Sequence, residues 1–126
     1  MKNSKIVASY MGLVEMVQKK EKFPVKFSFA ITKNLKTLEG LNKDFETERN
    51  KLLDMYNVKD ENGEAAYKTT GMIEIAPEHE NDWKKDMQEL LDIDVDAKVH
   101  TVSVSELDGV SMTAEDMLTC EFMITE

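Results

Sequence analysis

Asp92, Asp94 and Asp96 stand at alternate positions, a spacing that invites comparison with calcium loops, because hard cations take several carboxylate oxygens. The match fails in detail. With Asp92 as loop position one, Ala97 falls where the turn glycine belongs and Ser103 where the bidentate glutamate belongs. On an extended segment the same three carboxylates form one solvated stripe. His79 and His100 are the two histidines of the chain. Glu78-His79-Glu80 lacks the second histidine four residues on that a zinc-protease helix needs, and His100 has no acid, base or nucleophile beside it in sequence. Cys120, the single cysteine, lies among apolar neighbours, where a buried inert thiol is expected. There is no phosphate loop, dinucleotide fingerprint or serine elbow. These residues predict no catalytic group, no cofactor and no metal, and hence a protein that is not an enzyme.

Charge is the strongest chemical signal that remains. Of 126 residues, 16 are basic and 25 acidic, a net charge of −9. The excess is local: residues 1–63 hold 12 basic against 9 acidic side chains, and residues 64–126 hold 4 against 16. A concentrated negative field repels nucleic acid and lipid headgroups and attracts basic surfaces. Direct nucleic-acid binding and membrane association are therefore disfavoured, and a partner with a basic surface is favoured. Glu78, Asp82, Asp86 and Glu89 can share one helix stripe, and Asp92, Asp94 and Asp96 extend the charge into the next segment. These seven are the candidate protein-binding residues.

The elements that must position them follow from apolar periodicity. Asn3 or Ser4 can cap a first helix in which Ile6, Tyr10, Leu13, Val14 and Val17 recur at spacings of three and four. Phe23 to Phe29 reads as a short extended link after it. From about Ser28 to Asn57, Ile31, Leu38, Phe45 and Leu52 are spaced by seven, predicting one long helix, with Asn34 and Glu48 interrupting the heptad. Helix one folding back on it would make a helical hairpin. Lys59 to Gly63 is a turn with Asn-Gly at its end. Tyr67 to Thr70 and Met72 to Ala76 are β-like, and Pro77 opens a helix that buries Trp83, Met87, Leu90 and Leu91. Ile93, Val95, Ala97 and Val99 alternate with polar residues as a half-buried strand does, and Thr113 with Asp116 resembles a capping box for a last short helix. Most of the nine methionines sit at apolar phase and are expected in the core.

The expected fold is α+β in a single domain, 1–126: a helical hairpin over 1–57, then an acidic part over 64–126 with a small, mostly antiparallel sheet, a covering helix and a short C-terminal helix. No apolar run reaches the ~20 residues of a membrane span. The lone cysteine suits a reducing compartment.

Several segments resemble, in order, an uncharacterised family of small proteins from phages and prophages of Gram-positive bacteria, a domain of unknown function. FPVKFSFAITKNL at 23–35 is similar to that family's L-P-V-K-like link and A-I-A-K-N-I-like helix. ETERNKLLDMY at 46–56, KDENG at 59–63 and ELLDIDVDAKVHTV at 89–102 resemble its charged stretch, its turn and its E-L-L to H-T-V segment. Residues 113–124 resemble its ending, with Ala114 directly after Thr113 and the family's proline missing. The resemblance implies a phage origin and a role in the cytoplasm of an infected bacterium, and it brings no catalytic residues. Together with the charge, it leads to the expectation of a non-enzymatic accessory protein that binds, and inhibits, a host protein such as a defence or nucleic-acid-processing factor. The alternative expectation is a morphogenesis component that forms homo-oligomers through the long helix.

Overall fold

Ile6, Leu13 and Met16 fall on one face of a 3.6-residue repeat, and the helix they define, α1 (Asn3–Gln18), buries all three. The computed structural model, which describes residues 1–67 and 71–126, places Lys2 at its N-cap in extended conformation, without a side-chain cap. The expected caps, Asn3 and Ser4, lie inside the first turn, where Asn3 is buried. Lys20, at φ 56°, turns the chain out of the helix.

The second helix, α2 (Val25–Tyr56), starts directly after Pro24 and leaves a shorter link than the alternating Phe23, Val25, Phe27 and Phe29 predict. Burial follows helical phase here: Phe27 is fully buried while Val25 and Phe29 face solvent, and Ala30, Ile31, Asn34 and Leu38 continue the buried face. At 1.5 Å per residue these 32 residues span about 48 Å. Gly40 has open space where a Cβ would sit, so the helix needs no small residue there.

The chain forms two compact units: residues 1–42 with 94–126, and residues 43–93. In the first, α1 and the N-terminal part of α2 share one core with Val102, Cys120 and Met123. The last helix, α4 (Ala114–Cys120), lies closest to α1, where a Cβ on Gly12 would come within 2.5 Å of Thr119 Cγ2. Thr113 caps α4 by accepting from the Asp116 N–H at 3.1 Å. The carboxylate of Asp116, buried, accepts instead from Lys19 Nζ at 3.0 Å. A full capping box forms elsewhere, between Ser103 and Glu106 on the short 3-10 helix Val104–Leu107.

The expected antiparallel sheet is corrected. The two-stranded sheet pairs β1 (Val102–Ser103) with β2 (Ile124–Thr125) in parallel, in register Val102↔Ile124 and Ser103↔Thr125. Residues 93–100 keep the predicted alternation, with 95, 97 and 99 half-buried between exposed neighbours. Among the described residues they form one bridge, Lys2↔Asp94, and Ile93 is half exposed. Asn34 explains why no ladder is needed at the far end of that segment. Its buried carboxamide donates to the His100 carbonyl at 2.8 Å and accepts from the His100 N–H at 2.7 Å, acting as a strand partner carried by a helix.

In the second unit, residues 57–59, 65–67 and 73–75 follow one another as isolated antiparallel bridges, Asn57↔Ile75, Lys59↔Ala65 and Tyr67↔Ile73. The Asp60 carboxylate accepts from the N–H groups of Asn62 and Glu64, and Gly63, at φ 78°, completes the turn predicted there. Of the β-like run 67–70, residues 68–70 lie outside the described residues. Pro77 opens a 3-10 turn, Pro77–His79, that leads into α3 (Glu80–Asp92), whose buried residue is Leu90. Trp83, Met87 and Leu91, expected on its buried face, are partly buried.

Candidate functional site

On α3, Asp82, Asp86 and Glu89 recur at spacings of four and three and share one stripe, with Glu78 on the preceding turn. Glu78, Asp82 and Glu89 are exposed and, among the described residues, make no ion pair. Asp86 is committed to the fold: it accepts from the Tyr56 hydroxyl at 2.5 Å. That bond, with burial and the charges of Asp86 and Asp82, pushes the Tyr56 phenol up to about 12. The His79 ring lies 5.5 Å from that of Tyr56. Asp92 accepts from Gln88 at 3.1 Å.

Asp94 and Asp96 belong to the other unit. Asp94 accepts from the Met1 ammonium at 2.6 Å, which holds its carboxyl below the usual range, while Asp96 is exposed. The seven predicted residues thus divide between two bodies, five in one and two in the other. Among the described residues, no group of three histidine, cysteine or carboxylate side chains is placed to hold a metal ion. The His100 ring packs edge-on against Phe29, with centroids 5.4 Å apart. Cys120, fully buried, donates to Met16 Sδ at 3.3 Å; burial and the Asp116 charge push its thiol up to about 11.

Sequence reasoning missed a cleft in the second unit. Arg49, Leu53, Met72, Ile73, Ile75 and Trp83 line a cavity of about 420 Å³. Two of these are the chain's only arginine and only tryptophan. Leu53 lies one helical turn beyond Arg49 on α2, and the bridge Tyr67↔Ile73 and the 73–75 segment supply the isoleucines. Among the described residues, Arg49 Nε is buried with no hydrogen-bond partner, and its Nη2 meets only the Asn50 carboxamide, at 3.4 Å. A buried guanidinium N–H without an acceptor is unfavourable and points to a missing anion. A second cavity of about 350 Å³ shares Ile75 and Trp83 with the first and adds Glu74, Pro77, Glu80 and Lys84. Uniqueness of Arg49 and Trp83 was visible in sequence; their convergence was not.

The methionine expectation holds in part: Met16 and Met123 are buried and Met1 and Met112 pack against the core, while Met11, Met55, Met72 and Met117 are exposed, Met72 at the rim of the cleft. Exposed methionines make adaptable contact surfaces. A larger cavity in the first unit, about 540 Å³, is lined by the loops 21–24 and 108–111. Among the described residues, no helix is long and apolar enough to cross a membrane.

Comparison of the chain with protein-family models, with curated proteins and with solved structures finds no match.

Proposed function

We propose that this chain is a non-enzymatic phage accessory protein that binds a host protein with a basic surface through the acidic face of its second unit, within the host cytoplasm. The observation that carries this reading is where the charge sits. Residues 43–93 hold 7 basic and 14 acidic side chains, a net −7 of the total −9. Exposed Glu78, Asp82 and Glu89 present that charge along one stripe. Such a field steers a basic partner into encounter and weakens as salt shortens the Debye length from about 10 Å at 0.1 M to about 3 Å at 1 M. The phage setting rests on the resemblance of residues 23–35, 46–63 and 89–102 to the family described above.

The structure narrows the test. Asp86 and Asp94 hold Tyr56 and the Met1 ammonium, so replacing them would confuse binding with folding. The informative variant is Glu78→Gln, Asp82→Asn and Glu89→Gln together. Crosslinked capture from a Gram-positive host lysate should recover a partner with the parent at low salt, and lose it with the variant and at high salt. Equal recovery in all three conditions, or phage growth unchanged by deletion of the gene on defended and undefended hosts, would sink the reading. The homo-oligomer alternative loses its motive: Ile31, Leu38 and Phe45, three of the four heptad residues, are buried inside the chain.

A further inference from the structure

We infer that the cleft lined by Arg49 and Trp83 is a binding site for the C-terminal residue of a peptide, an apolar side chain bearing a free carboxylate. This inference stands on the cleft and does not rest on the acidic stripe. Its walls are Leu53, Met72, Ile73, Ile75 and Trp83, and among the described residues the guanidinium is the one charged lining group. A cavity of about 420 Å³ lies within the range of ligand sites and holds one large side chain with its terminal carboxylate. The walls suit the side chain; the guanidinium suits the carboxylate.

Arg49 is unusual in what it lacks. Among the described residues, no carboxylate lies within 4 Å of its guanidinium, and the Nε–H is removed from water without an acceptor. A carboxylate is the group whose two oxygens match that planar fork, forming charge-assisted bonds that are about twice as strong as neutral ones. Inside an apolar cleft these bonds gain further from the low local polarity.

Two observations favour a peptide over a small free acid. The neighbouring cavity of about 350 Å³ shares Ile75 and Trp83 with the cleft and gives room for a residue upstream of the terminal one. That second cavity presents Glu74 and Glu80, the latter paired with Lys84 at 3.1 Å, which suits a basic residue upstream of the terminal one. Met72, unbranched and exposed at the rim, can reshape to different apolar side chains.

Trp83, the only tryptophan, reports the cleft directly through its fluorescence. Titration with acetyl-Lys-Gly-Leu bearing a free carboxylate should shift its emission saturably. The same peptide as a C-terminal amide should bind at least about tenfold more weakly, because it keeps the apolar contact and loses the charge-assisted pair. In Arg49→Gln the acid and amide should bind alike. Arg49→Lys, which keeps the charge but loses the fork, should retain only part of the discrimination. Unchanged far-ultraviolet circular dichroism and melting temperature would show that the variants fold. Equal binding of acid and amide by the parent, or no saturable change at millimolar peptide, overturns the site. Isocaproate binding as tightly as the peptide overturns the peptide assignment.

Discussion

Asn34 is the residue whose replacement tests the fold most sharply. It is 1% exposed, on a helix, and its carboxamide closes a two-bond ring with the His100 backbone, donating at 2.8 Å and accepting at 2.7 Å. Asn34→Leu puts an apolar side chain of similar size in the same place and removes both bonds to the His100 backbone. Each is worth about 0.5–1.5 kcal/mol net, and the His100 N–H and carbonyl it leaves behind are partly buried, so the desolvation penalty falls at the low end of about 1–3 kcal/mol. The loss should be about 2–4 kcal/mol. With a urea dependence of about 1–3 kcal/mol per molar, the unfolding midpoint should fall by roughly 1–3 M. Hydrogen exchange localises the effect: the His100 amide should lose its protection while α1 amides keep theirs relative to the new global stability.

Asn34→Asp separates the two bonds. Burial raises the folded-state pKa of the introduced carboxyl above its unfolded value of about 3.9. Its contribution is therefore present below about pH 4 and is lost as pH rises through the folded value. At low pH the protonated carboxyl can still donate to the His100 carbonyl; at neutral pH it cannot. The deficit relative to the parent should grow with pH and at pH 7 match or exceed that of Asn34→Leu. If Asn34→Leu is as stable as the parent, or the His100 amide stays protected, the carboxamide is not what holds residues 99–101 to α2.

Gly12→Ala sets a clash with Thr119 against helix propensity: overpacking costs about 1–3 kcal/mol and alanine returns up to about 1 kcal/mol, so a net loss of about 1–2 kcal/mol is expected by denaturant melting. In a Thr119→Ala background that loss should shrink or change sign; an unchanged loss would refute the close approach of α1 and α4. The raised Tyr56 phenol binds its proton more tightly when folded, so its contribution to stability is complete below about pH 10 and is lost as pH rises toward about 12. Tyr56→Phe should remove that decline, and an ultraviolet phenolate titration of the parent should show a tyrosine that ionises only near pH 12 and is missing from the variant. Cys120 should resist a thiol reagent at pH 8 in the native protein and react promptly in urea, since it is fully buried and its thiol is pushed up to about 11. Fast labelling of the native protein would contradict the packing of α4.

Read alone, the sequence determined the elements whose signals are local. The three- and four-residue spacing of Ile6, Tyr10, Leu13, Val14 and Val17 specifies α1, the long apolar stripe through Ile31, Leu38 and Phe45 specifies α2, and Pro77, Thr113 and the Asn62-Gly63 turn mark later boundaries by backbone chemistry that acts within a few residues. Pairing across the chain was not legible. Val102 meets Ile124 in parallel because residues 94–126 return to the unit that holds α1, and no local pattern encodes that return. Asn34 shows the same limit: in sequence it is a flaw in a heptad, and in the fold it is the partner of a backbone 66 residues away. The seven acidic positions were readable as charge, but tertiary structure decided that Asp86 and Asp94 hold other groups and that two of the seven belong to a different unit. Arg49 and Trp83 could be counted as single residues of their kinds. Only the fold, by folding residues 72–83 back beside Arg49 and Leu53, turned that count into a cleft.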